Sequence, residues 1–452
     1  MNKRNIDMCH GPILKNILLF ALPLMASNVL QILFNSADTM IVGKFVGEHA
    51  LAAVGSSGPV VNIIIKLFLG LSVGVNVVVA QFLGAKKEND VKESVHTAVT
   101  LSILCGVFLT VVGMIFSPEL LRIMKSPEEV IPLATVYLRV YFLGIPFSML
   151  YNFAAAILRA AGDTKRPMWY LAIAGVLNVL LNIAFVMLFQ WGVFGVALAT
   201  VISQGVSALC VVMCLVRDDG MLRLEWKKLR IYGKKCKEIV RIGIPAGLQS
   251  TLFSFSDVMM QTSTNSLGVV VLAGNAAASN IIRLIYVAMN AFYQATISFT
   301  SQNMGAKKYK RLNEVFYTAL LCTLCSGIVL GVGSYLAGPW LLKLFASSKE
   351  VIHIGMIQLA IVGTTYVIGG VMDVIVGSLR GMGCVMVPTI VSIFGVVGTC
   401  AVWTLVLFPM DRFHSIEFLN FYYPVSWILT GIVHFITFTV VRKKIKDNMN
   451  CI

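Results

Sequence analysis

The heptapeptide QFLGAKK, residues 81–87, returns as QNMGAKK at residues 302–308. LRAAGDTKRP (158–167) returns as LRGMGCVMVP (379–388), SPEEV (126–130) as SSKEV (347–351), and LAAVG (51–55) as LAGNA (272–276). All four pairs are 221 residues apart. One offset held over more than a hundred residues marks a duplicated chain rather than chance similarity. The fold is therefore expected to be one unit written twice.

The residues around the repeats identify the solvent. Of 452 residues, 58% are hydrophobic and 13% charged, with a mean hydropathy of +0.84. A soluble domain carries about 25% charged residues. Twelve apolar runs, from 14–41 to 417–441, are each long enough to cross about 30 Å of hydrocarbon. The turn-forming stretches FQWG (189–192) and NSLG (265–268) split runs that would otherwise merge. The reading is an all-α membrane protein of twelve transmembrane helices in two six-helix lobes. Six is even, so both lobes enter the bilayer from the same side. They are expected to be related by a pseudo-two-fold axis along the membrane normal and to face a central cavity. The N-lobe covers 1–216, a basic linker 217–241 and the C-lobe 242–452. The linker reads either as a plain solvated connector or as a partly helical surface segment.

The net charge of +15 would suit a nucleic-acid partner, but the basic residues sit in short loops between apolar runs. Loops on the N-terminal side carry 27 Lys and Arg, those on the other side six. This bias places both termini in the cytoplasm of a multi-pass protein of the cytoplasmic membrane, with no nucleic acid as partner. The basic start MNKR is followed by a spanning run without a small-residue cleavage site, so no cleaved signal is expected. Ten cysteines lie mostly inside apolar runs. The pair Cys322 and Cys325 has neither His nor carboxylate nearby, which favours buried thiols over a metal site or a disulfide framework. No nucleotide-binding loop, hydrolase elbow or H-E-x-x-H stretch occurs. The chain therefore reads as neither an enzyme nor a cofactor protein, and an ion gradient is left to drive it.

Of 21 Asp and Glu, three fall well inside apolar runs: Asp38, Asp257 and Asp373. An aspartate at mid-membrane costs about 2.5–3.5 kcal/mol, so such residues face a cavity or a partner and mark ion pathways. Gln31, Asn35 and Asp38 share one helix face by their spacing. The fifth run supplies Asn178 and Asn182, the sixth Thr200, Ser203 and Gln204. If these converge on Asp38, the oxygen-rich result suits Na⁺, and the lone carboxyl suits H⁺. Interhelical hydrogen bonding is the structural alternative for the neutral residues. Asp257 and Asp373 are weaker candidates for coupling or substrate binding, and pairing of Asp257 with Arg283 or Lys66 is its structural alternative. Pro23 removes a backbone donor and permits a bend in the first span, and Pro245 is its counterpart in the seventh. The repeated Gly84 and Gly305, and Arg159 and Arg380, fall at span ends and read as structural.

LFNSADTMIVGKFVG in the first span, the paired GAKK motifs, and ILRAAGDTKRP with its echo SLRGMG together resemble the multidrug and toxic compound extrusion (MATE) family over nearly the whole chain. The resemblance implies a cation-coupled antiporter, driven by H⁺ or Na⁺. It would export amphipathic, often cationic, organic molecules by alternating access, as a monomer in the bilayer. Asp38 matches the family's coupling aspartate in the first span. Asn178 matches the first member of the fifth-span pair, Asn182 stands where an acid is often found, and Thr200 lies where a sixth-span hydroxyl joins the group. With a single carboxylate left, H⁺ is the expected ion ahead of Na⁺. One branch of the family uses acids in spans 7 and 10, and Asp257 and Asp373 fall there about one turn out of register. NIIRL, with Ile282 and Arg283, stands where many relatives carry an acid. The rival expectations are a lipid-linked oligosaccharide flippase of the same superfamily and, further off, a membrane receptor or channel.

Overall fold

The computed structural model describes residues 6–123 and 127–450. Lys3, Arg4, Lys125, Ser126 and Cys451 lie outside the described residues, which contain helices and no strand. We number twelve long helices: α1 Ile13–Phe45, α2 Glu48–Gly84, α3 Glu88–Ile123, α4 Ile131–Ala160, α5 Lys165–Leu188, α6 Gly192–Val216, α7 Gly233–Ser266, α8 Val269–Gly305, α9 Tyr309–Leu336, α10 Lys349–Gly381, α11 Met386–Leu407 and α12 Ile416–Asn450. Eleven are long and apolar enough to cross a membrane. The exception is α7, whose second half carries Gln249, Ser254, Ser256, Asp257, Gln261 and Thr264. At 34 residues it is still about 50 Å long.

Two of the four duplicated motifs turn out to be helix ends. After α2, the Ala85, Lys86 and Lys87 amides donate to the carbonyls of Gln81, Leu83 and Phe82. After α8, Ala306, Lys307 and Lys308 donate to Gln302, Met304 and Asn303, the same pattern 221 residues on. Lys86 (φ 55°) and Lys307 (φ 56°) take the left-handed conformation that closes a helix C-terminus. The second motif ends α4 and α10 alike. Gly162 (φ 87°) donates to Arg159, and Gly383 (φ 85°) to Arg380. Gly162 is required twice over, since an added Cβ would also lie 2.4 Å from the Ile6 carbonyl. Asp163, nearly buried, then accepts from the Arg166 amide at 3.1 Å and pairs with its guanidinium at the start of α5. Both motifs close helices by their backbone geometry.

Two compact units are present: residues 1–6 with 22–247, and residues 7–21 with 248–452. Each therefore draws on the chain of the other copy. The opening of α1 belongs to the second unit, and the opening of α7, residues 233–247, to the first. The changes of membership fall beside Pro23 and Pro245. This differs from the sequence-based division at the linker, because packing rather than chain order defines a compact unit.

In the first unit α2 and α7 cross at backbone contact. A Cβ on Gly70 would lie 2.1 Å from the Gly247 amide nitrogen, and one on Gly74 2.3 Å from the Ile239 carbonyl. Gly70 and Gly74 on α2, and Gly243 and Gly247 on α7, are small residues four apart on both partners. Such spacing lets membrane helices pack by van der Waals contact. In the second unit, Phe20 of α1 meets Phe299 of α8 edge to face, with centroids 5.6 Å apart.

The linker is not a plain solvated connector. Leu222 and Leu224 are buried. The Glu225 amide donates to Nε2 of buried His96 on α3 at 3.0 Å, while His96 Nδ1 lies 2.6 Å from the Lys92 carbonyl. The two contacts fix a neutral imidazole with its proton on Nδ1. The Tyr232 amide donates to Thr97 Oγ1 at 3.2 Å, and Lys235 pairs with Asp90 at 2.5 Å. Sequence reasoning missed this because the anchors lie more than a hundred residues upstream. His96→Phe removes the acceptor of a part-buried amide, a loss of about 0.5–1.5 kcal/mol. Limited trypsinolysis should then cut the 217–232 stretch faster than in wild type. Unchanged cleavage would show that His96 does not hold the linker.

Candidate ion-coupling site

The structure brings Asp38, Asn178, Asn182 and Thr200 together inside the first unit. Asn182, fully buried, donates from Nδ2 to Asp38 Oδ1 at 2.5 Å and to Asn178 Oδ1 at 3.2 Å. Asn178, 5% exposed, donates to Thr200 Oγ1 at 3.4 Å, and Thr200 passes its own proton to the Val196 carbonyl at 3.1 Å. The helices explain the chain of contacts. Asn178 and Asn182 are one turn apart on α5, so both face the same neighbours. Two residues beyond Asn182, α5 loosens into a π-helical turn, Ala184–Leu188, a feature common at functional sites. Asp38 sits on the half-buried face of α1, one turn before the apolar cluster of Ile41, Val42, Val186 and Val196.

One atom in the group is unmet. Asn182 Oδ1 is buried and accepts no hydrogen bond. A buried carbonyl oxygen without a protein donor costs about 1–3 kcal/mol, so it is an acceptor open to a water, a proton donor or a cation. Linked to the same side chain through Asn182 Nδ2 are the Asp38 carboxylate and Asn178 Oδ1, and through Asn178 Nδ2 the Thr200 hydroxyl. That is an all-oxygen set with a single formal negative charge. It can take a proton on Asp38 or a hard monovalent cation among the oxygens.

The remaining sequence candidates divide. Gln31 and Asn35 are exposed along α1, and the Ser203 hydroxyl turns back on the Ala199 and Thr200 carbonyls. Gln204 instead reaches Tyr141. Tyr141 stacks on Tyr137, centroids 6.0 Å apart, and both rings lie within electrostatic range of Asp38. The tyrosine pair was missed; its signal was the spacing of two aromatics one turn apart on α4.

In the second unit Asp257 is exposed on α7, and Asp373 is partly buried on α10. Tyr286, Tyr293, Tyr366 and Arg380 lie within electrostatic range of Asp373. Tyr366 meets Trp427 edge to face at 5.0 Å. Arg380 is 4% exposed, donates to Gln249 Oε1 at 2.8 Å and bonds the Tyr293 hydroxyl, while its Nε finds no acceptor. Removing one partner of a buried charge costs more than removing the charge itself. Gln249→Leu, which strands the guanidinium, should therefore lower the thermal midpoint by several degrees more than Arg380→Met. The reverse order would show that Gln249 does not support Arg380. Among the described residues no group of three or more His, Cys, Asp or Glu is placed to hold a metal ion, and none of the nine described cysteines is in a disulfide.

Twelve long helices in a duplicated all-helical arrangement, with a polar constellation inside apolar spans, define a polytopic membrane transporter. A family model described as MatE matches residues 23–184 and again 245–403, one match per copy. The chain belongs to the MATE family of multidrug efflux transporters. It is 30% identical over 440 residues to the probable multidrug resistance protein YoeA of Bacillus subtilis, covering 95% of this chain and 94% of that one. It is 27% identical to the probable multidrug resistance protein NorM of Thermotoga maritima, with 92% and 88% covered. A solved outward-facing multidrug resistance MATE transporter superposes with a TM-score of 0.89 at 23% identity, covering 99% of this chain and all of that one. That likeness supports the two-lobe, twelve-helix fold.

Proposed function

We propose that the protein is a cation-coupled antiporter that exports amphipathic, often cationic, organic molecules across the cytoplasmic membrane, with both termini in the cytoplasm. It acts as a monomer and is not an enzyme. The observation that carries this reading is the Asp38–Asn182–Asn178–Thr200 chain with its one unmet buried oxygen. Such a site binds a cation when ionised and changes its hydrogen bonding when neutralised, which is what coupling requires. One carboxylate supplies one negative charge, so H⁺ is favoured ahead of Na⁺ as the exchanged ion. Asp373, with its tyrosines, is assigned a secondary role in coupling or substrate binding, and Asp257 the same with less support.

The test is efflux of a cationic dye in everted membrane vesicles under imposed pH or Na⁺ gradients. A pH gradient is expected to drive transport and a Na⁺ gradient to add little. If neither gradient moves dye, the exporter reading fails and a flippase of the same superfamily becomes the better assignment.

A further inference from the structure

The GAKK turn that precedes α9 opens on a cavity of about 640 Å³. His10, Lys307, Lys308, Lys310 and Arg311 line it, and Glu314 is the one acid in its wall. Lys308 Nζ donates to the Cys9 carbonyl at 3.0 Å and lies 2.7 Å from His10 Nε2. Arg311 donates to the Gly11 carbonyl at 2.8 Å and, more weakly, to that of Met8 at 3.4 Å. These contacts orient the cations without neutralising them. Among the described residues none of the four basic side chains enters an ion pair. Lys307 and Lys310 are exposed. The segment behind them has its own balance. Partial burial works against the Asp7 carboxylate, yet the Cys9 and His10 amides and the His10 ring hold it below the usual range.

The first copy shows what the turn needs structurally. There the positions matching Tyr309, Lys310 and Arg311 are Glu88, Asn89 and Asp90. Glu88 pairs with Lys92 at 2.7 Å and Asp90 with Lys235 at 2.5 Å. Over residues 86–90 the two lysines are matched in number by the two acids, so the same turn closes with no net charge. The excess positive charge of the second copy is not required by the turn and calls for a partner from outside the chain.

We propose that this cavity binds a phosphate-bearing anion, supplied in the bilayer by the headgroup of an anionic phospholipid. Lys and Arg clustered at the end of a spanning helix attract anionic headgroups, and guanidinium and ammonium donors match phosphate oxygens. Tyr309 adds an amphipathic ring of the kind found at headgroup depth. The test is thermal unfolding of the purified full-length protein in mild detergent with phosphatidylglycerol, phosphatidylcholine or inorganic phosphate added. Phosphatidylglycerol is expected to raise the midpoint by several degrees and phosphatidylcholine not to. Lys307→Gln with Lys310→Gln should abolish the rise, and both side chains are exposed, so the interior packing is untouched. Lys86→Gln with Lys87→Gln, at the matching turn of the first copy, should keep it. If inorganic phosphate at millimolar concentration gives the same rise, the anion class stands and the source is free phosphate. Equal responses to the two lipids, a full rise in the Lys307 and Lys310 variant, or its loss in the Lys86 and Lys87 variant would overturn the site.

Discussion

Asp38→Asn is expected to reduce gradient-driven dye export to the level of vesicles lacking the protein, while the protein still accumulates in the membrane. The substitution is nearly isosteric. The new side-chain carbonyl can accept from Asn182 Nδ2 as the carboxylate did at 2.5 Å. Folding should hold, because the hydrogen bond that ties α1 to α5 is kept. What disappears is the only negative charge in the oxygen set. Without it there is nothing to protonate and little to hold a cation, and the exchanged ion no longer does work on the substrate. Vesicles carrying equal amounts of the two proteins, compared under the same imposed gradient, give the measurement. Wild-type rates in the variant would make Asp38 a structural residue and move the coupling role to Asp373.

The second large effect is on folding itself. Gly70→Val should leave little folded protein. The added carbons would overlap the Gly247 backbone, where even a Cβ stands at 2.1 Å. A flexible side chain could turn aside, but a helix backbone can yield only by moving the whole helix. The cost should exceed the roughly 1–3 kcal/mol of ordinary overpacking. Gly333→Ala is the control, since a Cβ there meets nothing within 4 Å. In an exposed helix interior it should gain about 0.5–1 kcal/mol. Yield and thermal midpoint after detergent extraction report both. A Gly70→Val protein as stable as wild type would mean that α2 and α7 do not cross where the structure has them.

Much of this architecture was legible in the sequence because membrane physics leaves few options. Apolar length gave twelve runs, eleven of which are helices long and apolar enough to span, and the offset of 221 residues gave the duplication. The turns at 189–192 and 265–268 hold as expected, with Gln190 (φ 56°) and Gly268 (φ 99°) in left-handed backbone. Asp38, Asn178, Asn182 and Thr200 could be nominated because each is polar in an apolar run and their spacings match one helix turn. Other features could not be read this way. The α2–α7 crossing uses two G-x-x-x-G pairs, a spacing visible in the sequence, but Gly327 and Gly331 share it, so the spacing does not say which two helices meet. His96 looks like any polar residue at a helix start until Glu225 is seen donating to it. The surroundings of Asp373 come from α8 and α10: Tyr366, Asp373 and Arg380 are seven apart, as are Tyr286 and Tyr293, so each helix face was legible but not that the two faces meet.

The trading of helix openings near Pro23 and Pro245 bears on how such a chain arose. A single six-span ancestor, folded alone, would lack the segment that the other copy now lends it. It would have been complete only as a domain-swapped pair, each subunit completing its twin. Joined in one chain, the two copies make that exchange intramolecular, where separate chains would depend on concentration. Severing the linker would leave two chains that must find each other before either unit is whole.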